Sequence, residues 1–345
     1  MTSSNEINLS SSPHSFLKLN TSHTMLFVII ALLPLCVKGV FLYGLSALLV
    51  ILTSVLSCVA SEALFQLATK QKIRVKDCSA IVTGILLALV CPPTVPLWQV
   101  ALGGIFAIIV AKEFFGGIGA NVFNPALAGR AFMFVSFPTT MGATWLNPTN
   151  GTVISYAAAQ SSATSAATSA ATSVAATPVV DAVSSSTLLS RINEAELTAQ
   201  NYLDFFLGNR AGCIGESSII LILLAFIFLS VTQIIDWKIP LTMVATVVIA
   251  TLIAGGDVLM SVMAGGLLFG AVFMITDYAT TPVTMWGRII FAFGCGLITF
   301  LIRQFGGYPE GVMFSILIMN AVAPFLNRIV PRKYGYGKQK KAGTK

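Results

Sequence analysis

Phe115-Gly116-Gly117-Ile118-Gly119-Ala120-Asn121-Val122 and Phe305-Gly306-Gly307-Tyr308-Pro309-Glu310-Gly311-Val312 share the frame Phe-Gly-Gly-x4-Val, 190 residues apart. Each copy closely follows a basic residue, Lys112 or Arg303. A second echo joins Pro93-Thr94-Val95 with Trp98 to Pro282-Val283 with Trp286. A glycine pair alone serves close helix packing in many proteins. The repeat gains its meaning from the apolar runs on either side of it.

A transmembrane helix needs about 20 mainly apolar residues. Ten such runs lie near 24–41, 44–67, 79–91, 96–114, 125–137, 217–235, 239–254, 258–275, 288–303 and 312–326. The third and fifth are short, and Cys91-Pro92-Pro93 ends the third abruptly. Short or interrupted spans are the form taken by half-helices that line a buried site. With the N-terminus inside, 16 of the 20 basic residues fall on the inner side and four (Lys38, Arg191, Arg210, Arg303) on the outer. That asymmetry is the positive-inside pattern. Ten spans divide into two sets of five, and an odd number gives the two sets opposite orientation. The first Phe-Gly-Gly then lies inside and the second outside, as in an inverted repeat. The fold expected is an all-α polytopic membrane protein: about ten transmembrane helices in two inverted five-helix repeats, with short half-helices and one long extracytoplasmic loop.

The boundaries follow. Residues 1–23 form a cytoplasmic N-terminal segment, 24–137 the first repeat, 138–216 the outer loop, 217–326 the second repeat, and 327–345 a basic cytoplasmic tail. The first 23 residues lack the order of a cleaved signal peptide.

Composition agrees. Of 345 residues, 56% are hydrophobic and 10% charged, with a mean hydropathy of +0.86. Soluble domains carry about 25% charged residues, so an ordinary soluble enzyme, a disordered chain and a nucleic-acid binder are excluded. The net charge of +7 is an orientation signal, and the tail is an anchor for lipid headgroups. Six scattered cysteines and two histidines in the polar N-terminus give no zinc, haem or iron–sulfur spacing.

The outer loop differs in kind. Residues 157–187 are nearly all Ala, Ser, Thr and Val, with the tandem Ala163-Thr164-Ser165-Ala166, Ala167-Thr168-Ser169-Ala170 and Ala171-Thr172-Ser173-Val174. Such a run buries little and reads as an insertion. Tyr202–Leu207 reads as a short interfacial helix.

Ionisable groups at membrane depth are costly and often functional. Asp277, beside Thr280 and Thr281, either attracts a cation or caps the turn before the ninth span. Glu62 lies about two turns from Lys70 and snorkels or pairs with it. Glu113 with Lys112 makes a candidate interfacial ion pair. Asn121 and Asn124 flank a glycine-rich turn suited to a ligand's polar edge.

Motifs spread over most of the chain carry a resemblance: Ser11-Ser12-Pro13-His14; Asp77-x-Ser79-Ala80-x-x-Thr83-Gly84; Gly116-Gly117-x-Gly119-x-Asn121-x-Phe123-Asn124-Pro125-Ala126; Thr276-Asp277-x-x-Thr280-x-Pro282-x-Thr284; and Gly307-Tyr308-Pro309-Glu310-Gly311-Val312. From about residue 9 to 336 the chain resembles one family. That family holds the D subunit of the Rnf ion-translocating electron-transport complex and the B subunit of the sodium-translocating NADH:quinone oxidoreductase. The resemblance implies FMN joined through its phosphate to a threonine on the outer side. The family frame, roughly Asp-Ala/Gly-x-Ser/Thr-x-Ala-Thr-Pro-Leu, fits Asp181-Ala182-Val183-Ser184-Ser185-Ser186-Thr187-Leu188-Leu189, with Ser186 for Ala and Leu188 for Pro. Thr187 is then the acceptor, Thr177 its first competitor, and Thr144 a decoy that sits too early.

The resemblance also implies a riboflavin, a flavin transferase for maturation and the other subunits of the complex as partners. It implies a bacterial cell membrane location and electron transfer between ferredoxin- and NADH-linked subunits coupled to sodium or proton movement. The five-plus-five repeat taken alone supports a second reading, a stand-alone channel or secondary transporter. A scaffold subunit without redox work is the third.

Overall fold

The computed structural model describes residues 21–71, 75–142, 206, 208, 212–263, 265–306 and 311–328. Among these residues every regular element is helical. The first half holds α1 (Thr21–Tyr43), α2 (Leu45–Ala68), α3 (Ser79–Leu89), α4 (Leu97–Ile109), α5 (Pro125–Ser136) and the single turn α6 (Pro138–Gly142). The second half holds α7 (Ile219–Val231), α8 (Lys238–Ala254), α9 (Val258–Met263), α10 (Leu267–Phe269), which runs into a π-turn Gly270–Met274, then α11 (Met285–Phe305) and α12 (Val312–Leu326). Four stretches, Thr21–Tyr43, Leu45–Ala68, Leu97–Phe115 and Met285–Phe305, are long and apolar enough to cross a membrane. Shorter apolar helices fill in between.

Nine of the ten expected runs coincide with a helix to within a few residues. The run at 258–275 does not: it is divided into α9, α10 and the π-turn. The break falls at Gly265-Gly266. Gly265 takes a φ of 68°, and a Cβ on Gly266 would meet Glu216 Oε1 at 2.6 Å. The backbone there is shaped by what approaches it, which hydropathy does not register.

Local signals set the ends. Gly44, with φ 68°, is the sole residue between α1 and α2. Asn124 caps α5: its Oδ1 accepts from Ala126 N (3.1 Å) and Leu127 N (3.3 Å), and Pro125 takes the first helical position. Thr284 caps α11 by accepting from Gly287 N at 3.2 Å.

The helices run alternately between two ends. One end gathers Glu62, Ser79, Lys112, Asn124, Met274 and Met285; the other gathers Ser46 with Pro93, Cys91 with Ile214, and Ser261 with Arg303. The halves also pack alike. In the first, α2 lies against α3 and α4, and α4 against α5; in the second, α8 lies against α9 and α11, and α11 against α12. One contiguous core runs through both, from Leu32 and Leu35 to Phe269 and Phe291.

Outward faces are apolar, as on α1 at Leu26, Ile30, Leu33, Val37 and Phe41. Hydrophobicity therefore does not separate inside from outside; close packing of small residues does. Where α2 crosses α3, Ser54 Oγ donates to Gly84 O at 2.7 Å. A Cβ on Gly84 would stand 2.7 Å from Val55 Cα and 3.1 Å from Ser54 O, both backbone. Backbone atoms cannot swing aside, so Gly84→Val is expected to destabilise the fold by about 1–3 kcal/mol or more. Unfolding in mixed detergent–SDS micelles measures it. Ala60→Val, on the exposed face of α2, should leave the transition in place.

Candidate functional site

Two buried polar assemblies lie on the seam between the halves, one at each end. The larger surrounds a cavity of about 140 Å³ built from the start of α1, from α3, from the loop Lys112–Asn124, and from the π-turn through Ala279. Its walls are apolar at Met25, Val28, Val82, Leu86 and Phe273; Ser79, Thr83, Asn121 and Asp277 bring polar groups.

Beside the cavity, Lys112 is 3% exposed; its Nζ donates to Glu62 Oε1 at 3.0 Å and to Ser79 Oγ at 2.6 Å. Gln66 Nε2 donates to the same Glu62 oxygen at 3.3 Å. Two expected pairings are thereby corrected. Glu62 is joined to Lys112 on another element, while Lys70 sits past the end of α2 with a φ of 54° and an exposed side chain. Lys112 pairs with Glu62 rather than with Glu113, its chain neighbour, because adjacent residues do not face one another. Past the end of α4 the chain turns Lys112 inward between α2 and α3.

Asn121 and Asn124 both line the cavity, but their side-chain amides are already engaged. Asn121 Oδ1 accepts from Gly119 N (3.2 Å) and its Nδ2 donates to Phe123 O (3.2 Å). Asn124, besides capping α5, donates to Met274 O at 3.2 Å across 150 residues of sequence. It ties the half-helix of the first half to the π-turn of the second.

Asp277 stands at the cavity rim. Ala279 N and Thr280 Oγ1 donate to its carboxylate at 3.4 and 3.3 Å, and Thr281 Oγ1 donates to its carbonyl. The capping role is therefore present, and the side chain also lines the cavity. Burial raises its carboxyl above the ordinary value, against the lowering effect of those hydrogen bonds. Such a group binds its proton more tightly in the fold. Its contribution to stability is complete below the ordinary value of 3.8 and is lost as pH rises through the raised value. Asp277→Asn lacks this dependence. Its thermal midpoint should gain on the parent's as pH is raised from about 4 to about 8.

At the other end, Arg130 on α5 is 5% exposed, and its Nη2 lies 3.5 Å from Cys213 Sγ. Arg130, Glu216, Gly266 and Gly270 line a small pocket there. The charge count over the spans assigns Arg130 to the inner face as an orientation charge. The fold instead buries it on the seam, and Lys112 is buried as well. Without them the expected count becomes fourteen inner against four outer. A charge in the middle of an apolar run was the available signal for Arg130.

Among the described residues no group of three or more His, Cys, Asp or Glu is placed to hold a metal ion. Thr187, Thr177 and Thr144 lie outside the described residues.

Residues 8–335 match the NQR2, RnfD, RnfE family. The chain is 41% identical over 343 residues to the D subunit of the Na(+)-translocating ferredoxin:NAD(+) oxidoreductase complex of Acetobacterium woodii, covering 98% of each chain. It is 40% identical over 341 residues to the D subunit of the proton-translocating ferredoxin:NAD(+) oxidoreductase complex of Clostridium ljungdahlii, covering 96% of this chain and 97% of that one. With the D subunit of the ion-translocating oxidoreductase complex of Stutzerimonas stutzeri the identity is 37% over 332 residues, covering 90% and 91%. The match spans both halves and the seam between them: this chain belongs to the NQR2, RnfD, RnfE family.

Proposed function

We propose that this chain is the membrane-embedded D subunit of an Rnf-type complex, in which electron transfer between ferredoxin- and NADH-linked subunits drives a sodium ion or proton across a bacterial cell membrane. The observation that carries the reading is kinship with D-subunit relatives over nearly the whole chain, at about 40% identity. The chain crosses the membrane ten times as two inverted five-helix repeats, 24–137 and 217–326. The alternating ends and the matched packing of the halves support this. Both termini are cytoplasmic, and the loop 138–216 is outside.

Thr187 carries FMN as a phosphoester, made by a separate flavin transferase, since an ordinary hydroxyl does not attack phosphate unaided. The small neighbours Ser184, Ser185 and Ser186 leave the hydroxyl approachable. The cavity beside Asp277, at about 140 Å³, is smaller than the about 300–1,000 Å³ of a ligand pocket, so the riboflavin implied by the resemblance is not assigned to it. A flavin supplies the one- and two-electron chemistry; the chain's own residues position it and exclude water. Lys112, fixed by Glu62, stands at the cavity wall. Asn124 holds the two halves in register around it. Donor and acceptor centres belong to the partner subunits.

The purified chain, from cells that make the transferase, should give a fluorescent flavin band on a denaturing gel. A dark band would overturn the redox reading and favour a stand-alone channel or secondary transporter.

A further inference from the structure

Two buried acids lie close to one buried base at the Asn124 end of the first half. Glu113, 7% exposed, is buried like Glu62 and Lys112. Lys112 Nζ is committed to Glu62 Oε1 and Ser79 Oγ. Gln66, one turn beyond Glu62 on α2, joins the second acid to this pair. Its amide donates to Glu62 Oε1 at 3.3 Å, and its side chain also hydrogen-bonds the Glu113 carboxyl. Phe65 and Phe114, the chain neighbours of Gln66 and Glu113, have ring centroids 5.8 Å apart, so the two segments lie side by side.

Two carboxyl oxygens of this group, Glu62 Oε2 and Glu113 Oε1, are buried without a hydrogen-bond partner among the described residues. The charges do not balance either: one base against two acids leaves a negative charge over. Asp77, just before α3, adds a further negative charge that Glu113 feels. Its own carboxylate is occupied, accepting from Ser79 N at 2.9 Å and Ser79 Oγ at 2.7 Å.

An uncompensated charge inside a membrane-spanning fold is costly. Two carboxyl groups sharing one site relieve that cost by keeping a proton on one of them. Which acid takes it follows from the contacts. Glu62 has the Lys112 ammonium at 3.0 Å to hold it ionised. Glu113 has the neutral Gln66 amide.

We infer that Glu113 is a proton-binding site, neutral at physiological pH, whose proton balances the charge of the Glu62–Lys112 cluster. The proton turns the unpartnered Oε1 from an acceptor into a donor. Among the described residues no group of three or more His, Cys, Asp or Glu is placed to hold a metal ion, so the donor set suits a proton better. Oε1 borders the glycine-rich turn after α4: Gly117 N bonds to Lys112 O at 3.1 Å, and a Cβ on Gly117 would stand 3.8 Å from Glu113 Oε1. Gly116 and Gly119 in that turn are exposed, which gives the proton a short way out past residues without side chains. Neither acid lines the cavity beside Asp277, and the site does not depend on flavin attachment.

Infrared spectroscopy of the full-length chain in nanodiscs tests it. A protonated carboxyl has a C=O stretch apart from the amide and carboxylate bands, and the stretch moves on exchange into D2O. At pH about 7 the parent should show such a component, lost in Glu113→Gln and kept in Asp277→Asn. Glu62→Gln should lose it too, because Lys112 then balances Glu113 and holds it ionised. A component that Glu113→Gln leaves in place overturns the site. Dicyclohexylcarbodiimide, which adds to protonated carboxyls in apolar surroundings, reads the parent complex alone, whether or not the variants fold. Glu113 should be modified at least about tenfold faster than Glu62, the ratio that one unit of proton affinity gives, and more slowly as the pH is raised. Equal rates, or no modification of Glu113, overturn the site. So does sodium that suppresses the modification at fixed pH and ionic strength, which would make the occupant a metal ion.

Discussion

Lys112→Met is expected to destabilise the folded chain by about 3–5 kcal/mol, the range for stripping one partner from a buried ion pair. The methionine fills nearly the same volume, so little packing is lost. What remains is the Glu62 carboxylate, 1% exposed, with Gln66 as its one neutral hydrogen-bond donor in the set described and Oε2 already without a partner. Removing both charges with Glu62→Gln and Lys112→Met should recover most of the loss, because a neutral pair needs no counter-charge. The coupling energy from the four-membered cycle is the measurement, read by SDS-driven unfolding in mixed micelles. Additive effects of the two substitutions would show that the 3.0 Å contact is not the source of stability.

Thr187→Ala should abolish covalent flavin outright, because the phosphoester needs a hydroxyl and alanine has none. The gel band disappears while the chain still accumulates, since the substitution touches no described helix. Thr177→Ala should leave the band intact, and Thr187→Ser should restore at least part of it. Electron transfer through the assembled complex falls with the band if the flavin is an obligatory stop. An unharmed complex with no band would reduce the chain to a scaffold, and a band that survives Thr187→Ala would move the attachment to another hydroxyl.

The local part of the fold was legible in the sequence. Apolar runs bounded by Gly44, by Cys91-Pro92-Pro93, by Asn124-Pro125 and by Gly255-Gly256 became helix ends there. Spans, caps and breaks depend on residues within a few positions of one another. Asp277, Asn121 and Asn124, which line the cavity, stood out in the sequence for a similar reason: polar groups are conspicuous against an apolar background. Thr187 belongs to another kind of knowledge, the resemblance of a motif.

What packing decided could not be read along the chain. Lys112 has one acidic neighbour in sequence and another 50 residues away on a different helix; only the fold brings Glu62 to 3.0 Å and turns Glu113 aside. Arg130 counts as an inner-face charge until the seam buries it against Cys213, 83 residues on. The span at 258–275 is mainly apolar, yet it is broken at Gly265-Gly266, where Gly265 takes a φ of 68° and Glu216 lies close against Gly266. By itself the sequence determined where most of the helices begin and end, because caps and breaks follow from residues a few positions apart. The tertiary structure alone decided which charges meet and which helix breaks. Those outcomes depend on distances between residues that the chain does not place side by side.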